Sequence, residues 1–136
     1  MHRNQKTPAN RRAAAVVECA VVLPVLLIFA FAVLEVTNVI YLQQSLEVAA
    51  YEGARVATLP DTNTTDVEAT CLRLLTQRGI VQQDVAVSPN NFSDQPFGAP
   101  IEVSVTADLG ENSFSRFVLG TARTLEGNVI MMKEVN

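Results

Sequence analysis

The sequence predicts an α+β protein in which one long N-terminal transmembrane helix continues into a small domain holding a short second helix and an antiparallel sheet of three or four strands. Three observations predict it. From Ala13 to Leu34 there are 22 residues with a single charge, Glu18, and a helix rising about 1.5 Å per residue needs roughly 20 apolar residues to cross the hydrocarbon layer. Val39, Leu42, Leu46, Ala49, Gly53 and Val56 then recur every three or four residues, which places them on one helical face. Farther on, Ile101 to Ala107 alternates strictly between apolar and polar, the period of a half-buried strand.

Taken in order, residues 1–12 are polar and basic without periodicity and read as a disordered leader or cytoplasmic tail. Arg3, Lys6, Arg11 and Arg12 precede the apolar run with no acid among them, and positive charge beside a span stays on the cytoplasmic side. The expected topology is a single pass through a membrane, with the N-terminus inside and residues from about 40 onward outside. Residues 13–59 form the span and its stalk, and 60–136 form the extracytoplasmic domain. After residue 12 six bases face fourteen acids. An acidic exported region disfavours nucleic acid as a partner, because such binding rests on clustered Lys and Arg. Roughly 95 residues outside the tail and span suffice for one small domain with a modest core.

Within the span, Pro24 removes one backbone donor, a loss that neighbouring packing accommodates in membrane helices. Glu18 carries two readings. At the inner interface near Arg11 and Arg12 it would leave Cys19 to Leu34 in the core, which reaches about 24 Å against a core of about 30 Å. Inside the membrane it would need a positive partner from the same or a neighbouring chain, since a buried carboxylate is expensive there. Cys19 lies in the apolar run and Cys71 in the exported part, so a disulfide within one chain is not expected, whereas Cys71 could pair with another chain.

The order RR-AAAVVE-CAVVLPVLLIFAFAVLE, with Glu18 near its start, Leu23-Pro24 in its middle and Glu35 at its end, resembles the N-terminus of TadE-like proteins of the tight-adherence (Flp-type) pilus system. The segment Ala49-Ala50-Tyr51-Glu52-Gly53-Ala54-Arg55 resembles that family's Ala-rich EGAR stretch. The resemblance covers residues 11 to about 57, with Pro24, Glu35, Glu52, Gly53, Ala54 and Arg55 as its stalk positions. It implies a pilin-like or pseudopilin envelope protein whose partners are the membrane, other pilus subunits or assembly-platform proteins, and a prepilin peptidase. In related prepilins that peptidase cuts after a Gly, with a Glu at the fifth mature position. Counting back from Glu18 puts the cut between Ala13 and Ala14, and this chain departs from the pattern by having Ala at position 13. The resemblance then implies that Glu18 pairs with the free amine of Ala14 in a neighbouring subunit.

A secretory signal is the competing reading. The basic tail, the apolar stretch from Ala20 to Phe31, and Ala30-Phe31-Ala32 as a cleavage motif would release a soluble domain beginning at Val33. Against it, residues 33–42 continue apolar and Glu18 is unusual ahead of such a stretch.

The helix should stop at Thr58-Leu59-Pro60, because the residue before Pro avoids helical geometry. Along residues 46–57 the stripe is expected to cover the protein's own sheet, and Glu52 and Arg55 can pair at i,i+3. Thr65-Asp66-Val67-Glu68 reads as a capping box opening a helix from Asp66 to Arg78, with Val67, Cys71, Leu74, Leu75 and Arg78 inward and Gly79 as the stop. The sequons at Asn63 and Asn91 read as chance in a bacterial envelope. Asp84 to Ser88 is a short strand, Pro89 to Pro100 an irregular connection whose Phe92 and Phe97 could make contacts, and Ser113 to Leu119 a helical or irregular turn. Thr121 to Met132 supplies a last strand, with Gly127-Asn128 as a bulge or a tight turn.

Nothing in the sequence assembles a catalytic centre. The single histidine, His2, is in the tail, and no metal-ligand spacing, phosphate loop or converging acid pair stands out. The expectation is a non-catalytic protein without cofactors, a TadE-like minor pilin, pseudopilin or assembly factor. The second reading is a membrane-anchored or secreted binding or adhesion module.

Overall fold

The computed structural model describes residues 8–81, 83–113 and 123–134, with side chains from Arg12 onward. The elements run α1 (Pro8–Ala57), α2 (Thr64–Gln77), β1 (Gln83–Ser88), a single 3-10 turn (Phe92–Asp94), β2 (Pro100–Asp108), α3 (Leu109–Asn112) and β3 (Thr124–Met132). The architecture is α+β, with the long apolar N-terminal helix, the short second helix and a three-stranded antiparallel sheet in the order β1-β2-β3. Two compact units divide between Leu34 and Glu35.

The first unit is helical from Pro8, so the last residues of the basic leader are ordered rather than irregular. Proline is well placed there, because its missing N–H falls among the first-turn donors that have no helical acceptor. Every described side chain from Arg12 to Leu34 is exposed, and Pro24 sits inside the helix.

In the second unit α1 buries the face that the stripe marks. Leu42, Leu46, Ala49, Ala50, Ala54 and Ala57 are buried, while Val39 and Val56 are half-buried against them. Burying Leu42 and Leu46 contributes about 1.5–3 kcal/mol apiece. Gly53 admits α2 and β2 to the helix: a Cβ there would stand 2.4 Å from Cys71 Sγ and 3.3 Å from Val103 Cγ1. The stripe therefore covers this protein's own helix and sheet.

The cap of α2 lies earlier than the Thr65-x-x-Glu68 pattern suggests. Asn63 Oδ1 accepts from Asp66 N at 3.0 Å, and Asp66 Oδ2 accepts from Asn63 N at 3.1 Å. Asn competes well with Thr at this position, and Asp at the third helical position closes the same reciprocal box. Val67, Cys71 and Leu75 are buried. Leu74 is half-buried and Arg78 is exposed, because the helix ends at Gln77 and Gly79 turns the chain away at φ 72.

Strands β1 and β2 pair from Gln83↔Ala107 to Ser88↔Glu102, and β2 and β3 from Pro100↔Met132 to Asp108↔Thr124. The alternation of β2 is complete: Ile101, Val103, Val105 and Ala107 are buried, with half-exposed residues between them. In β3 the expected bulge or turn at Gly127-Asn128 is absent, and the strand runs unbroken. Gly127 is needed for another reason. A Cβ there would meet the α1 backbone, 2.5 Å from Leu46 C and 2.6 Å from Glu47 N. Thr121, Ala122 and most of the expected Ser113–Leu119 turn lie outside the described residues.

Candidate functional site: the first helix and the cleft beside it

In the first unit Ala13, Ala14 and Glu18 are exposed on α1. Ala14 and Glu18, four residues apart, share one helical face. Glu18 makes no ion pair with any described side chain. A helix that turns apolar side chains outward on every face is suited to lipid or to other helices.

Glu35 differs from Glu18 in being enclosed. Although it ends the apolar run, it is only 2% exposed. Ser113 Oγ donates to its Oε1, while Oε2 is buried without a hydrogen bond among the described residues. One turn later Asn38 Nδ2 donates to the carbonyl of Asn112 at 2.7 Å. Asn112 in turn staples the segment after α2, with Nδ2 donating to Val81 O and Oδ1 accepting from Val81 N, both at 2.8 Å. These residues surround a cleft of about 290 Å³ lined by Asn38, Tyr41, Arg78, Asn112 and Ser113. Tyr41 Oη donates to Arg78 O at 3.3 Å, and Arg78 Nη1 donates to Ser45 Oγ at 3.0 Å. The cleft is held by side-chain bonds to backbone, and beside apolar Leu42 and Ile80 it presents two hydroxyls, two amides, one guanidinium and the Glu111 carboxylate.

Farther along, the EGAR stretch divides between inside and outside. Gly53 and Ala54 are buried, Glu52 is half-buried and Arg55 is exposed. Arg55 Nη1 stands 3.9 Å from Glu52 Oε2, an exposed i,i+3 pair of small energetic weight. Both cysteines are free thiols. Cys71 Sγ donates to Ala49 O at 3.3 Å, and burial, the largest effect, pushes its pKa from 9.0 up to about 11. Fully covered beneath Gly53, it offers no surface to a second chain.

Two features escape a reading of the sequence. Lys133 is buried, and its Nζ donates to Phe92 O at 3.2 Å and to Ser93 O. It thereby fixes the Pro89–Pro100 connection, in which Phe92 is buried and Phe97 exposed. A lone lysine following a strand in an acidic chain carries no signal of that task. The burial of Glu35 has a faint signal in its position at the end of an apolar run, but its donor, Ser113, is 78 residues away in sequence.

Among the described residues one helix, near the N-terminus, is long and apolar enough to cross a bilayer, and with the small folded α+β unit that follows it the chain is compatible with single-pass membrane anchoring. Residues 13–55 match the family model of TadE-like proteins. The N-terminal segment of this chain is therefore TadE-like, from the apolar run through Arg55. No curated protein and no solved structure matches the chain.

Proposed function

We propose that this protein is a minor pilin, pseudopilin or assembly factor of a tight-adherence (Flp-type) pilus. It acts without catalysis, from the bacterial inner membrane, with its N-terminus inside and the unit from Glu35 onward outside. One observation carries this reading: the TadE-like match spans residues 13–55, joining the apolar run to the part of α1 that packs into the folded unit. An interchangeable anchor would need only the apolar run. The partners are other pilus subunits or assembly-platform proteins, and a prepilin peptidase that cuts between Ala13 and Ala14. Cleavage would free the Ala14 amine, and Glu18 of a neighbouring subunit would pair with it where the low dielectric strengthens the attraction.

The first test is the intact mass and N-terminal sequence of protein recovered from membranes. A start at Ala14 is expected. Retention of Met1 would make the protein a permanently anchored assembly factor and remove the amine, and a start at Val33 would overturn the membrane reading. A second test substitutes Glu18→Gln in cells that make the pilus. The variant is expected to reach the membrane in normal amount while pilus number falls by about tenfold or more, a factor equivalent to about 1.4 kcal/mol. Wild-type piliation would sink the pairing and favour the alternative, a membrane-anchored binding or adhesion module.

A further inference from the structure

The outer edge of β3 is an open hydrogen-bonding edge. Arg123 and Lys133 bracket the strand, and both bond toward β2: Leu109 N donates to Arg123 O at 2.8 Å, Lys133 N to Ala99 O at 2.9 Å and Gly98 N to Lys133 O at 2.9 Å. Because the register with β2 is unbroken and backbone groups alternate in direction along a strand, the odd-numbered residues face β2 and the even-numbered ones face outward. The carbonyl of Glu126 agrees, since it accepts from Gln43 Nε2 at 2.9 Å rather than from β2. That side chain guards a single position. Beyond it, no described residue bonds to the outward N–H and C=O groups of Asn128, Ile130 and Met132.

Edges of this kind are normally blunted by Pro, by Lys or by a bulge. Thr124–Met132 has none of these, and Lys133 is turned inward onto Phe92 and Ser93. Instead the edge carries Ile130 and Met132, each 60% exposed. Beside it an open groove of about 750 Å³ is lined by Glu47, Tyr51 and Glu52 of α1, by Arg78 after α2, and by Asn128 and Val129 of β3. A fourth strand laid along the edge would bond its backbone to Asn128–Met132. One set of its side chains would sit over Ile130 and Met132, and the other would face Glu47 and Tyr51.

Charge selects the occupant. From Glu35 onward there are thirteen acids against six bases, and around this edge and groove Glu47, Glu52, Glu126 and Glu134 outnumber Arg78 and Arg123. A second copy would bring the same acids against them. We propose that Asn128–Met132 is a strand-addition site for an extended segment of another protein in which apolar residues alternate with Lys or Arg. This inference stands independently of the pilus reading, because it rests on the edge of β3 alone.

The test is amide hydrogen exchange, read by NMR, on the full chain in phosphatidylcholine nanodiscs. The probe is the capped hexapeptide Lys-Val-Lys-Val-Lys-Val, compared with its Glu-Val counterpart and with a Lys-Val peptide N-methylated at alternate residues. The Lys-Val peptide is expected to slow exchange at Asn128, Ile130 and Met132 by about tenfold near saturation, the other two leaving it unchanged. No slowing, or equal slowing by either comparison peptide, would overturn the proposal. Slowing that rises with protein concentration without peptide would also overturn it, by assigning the edge to a second copy.

Discussion

Two glycines act at the residue scale through what they leave out. At Gly127 an added methyl meets the backbone of Leu46 and Glu47, whereas at Gly53 the nearest atom is the thiol of Cys71. Backbone yields less readily than a side chain, so Gly127→Ala should destabilise the folded unit by more than the roughly 1–3 kcal/mol usual for overpacking, and Gly53→Ala should stay within that range. Chemical denaturation of the two variants checks the order, and pairing Gly53→Ala with Cys71→Ala should recover part of the loss. Cys71 also gives the fold a pH dependence. Its thiol holds its proton more tightly folded than unfolded, so the contribution is intact below about 9 and is lost as pH rises toward about 11. The loss is on the order of 1.4 kcal/mol per pH unit within that window. Stability measured against pH in the parent and in Cys71→Ala should diverge there, the parent falling more steeply; parallel curves would show that the thiol is not held.

At the scale of elements, the cap of α2 is the most exposed point of failure. Asn63→Ala or Asp66→Ala each removes one half of a reciprocal box and should cost about 1 kcal/mol, with faster amide exchange confined to the first turn of α2. Thr65→Ala should be nearly silent, which separates the observed cap from the one that the Thr65-x-x-Glu68 spacing suggests. Elements whose cause is local were legible in the sequence. The apolar run follows from length and composition, the stripe on α1 and the alternation of β2 from side-chain period, and each lies where that local cause puts it. Features whose cause is a distant neighbour were not legible. Gly127 reads as a turn residue until α1 is seen to pass against it, and Lys133 reads as a surface charge until two carbonyls are found at its amine. The cap falls between these cases, since Asn63 and Thr65 both satisfy the local rule and only the geometry of the loop after Pro60 chooses one.

On the scale of the whole molecule, charge is divided along the chain, with four bases and no acid before residue 13 and an acidic remainder. That asymmetry should set the direction of insertion. In spheroplasts, protease added outside should digest the unit from Glu35 onward while the basic tail stays protected. Changing Arg3, Lys6, Arg11 and Arg12 together to Asn should lower the correctly oriented fraction severalfold, and unchanged orientation would show that other signals decide it. The candidate positions divide in the same way. Ala13, Ala14 and Glu18 are singled out by the resemblance to TadE-like proteins and related prepilins, and the task proposed for them concerns a neighbouring chain. Glu35 and the cleft beside it needed the fold, since Ser113 and Asn112 reach them from more than 70 residues away. The contact of Gly127 with Leu46 and Glu47 has a mechanical consequence. Side chains that touch can slide or change rotamer under load, but main chain against main chain has no such slack. A pull on α1 would therefore pass into β3 at that point as shear, and the sheet would resist it through the ladder joining β3 to β2.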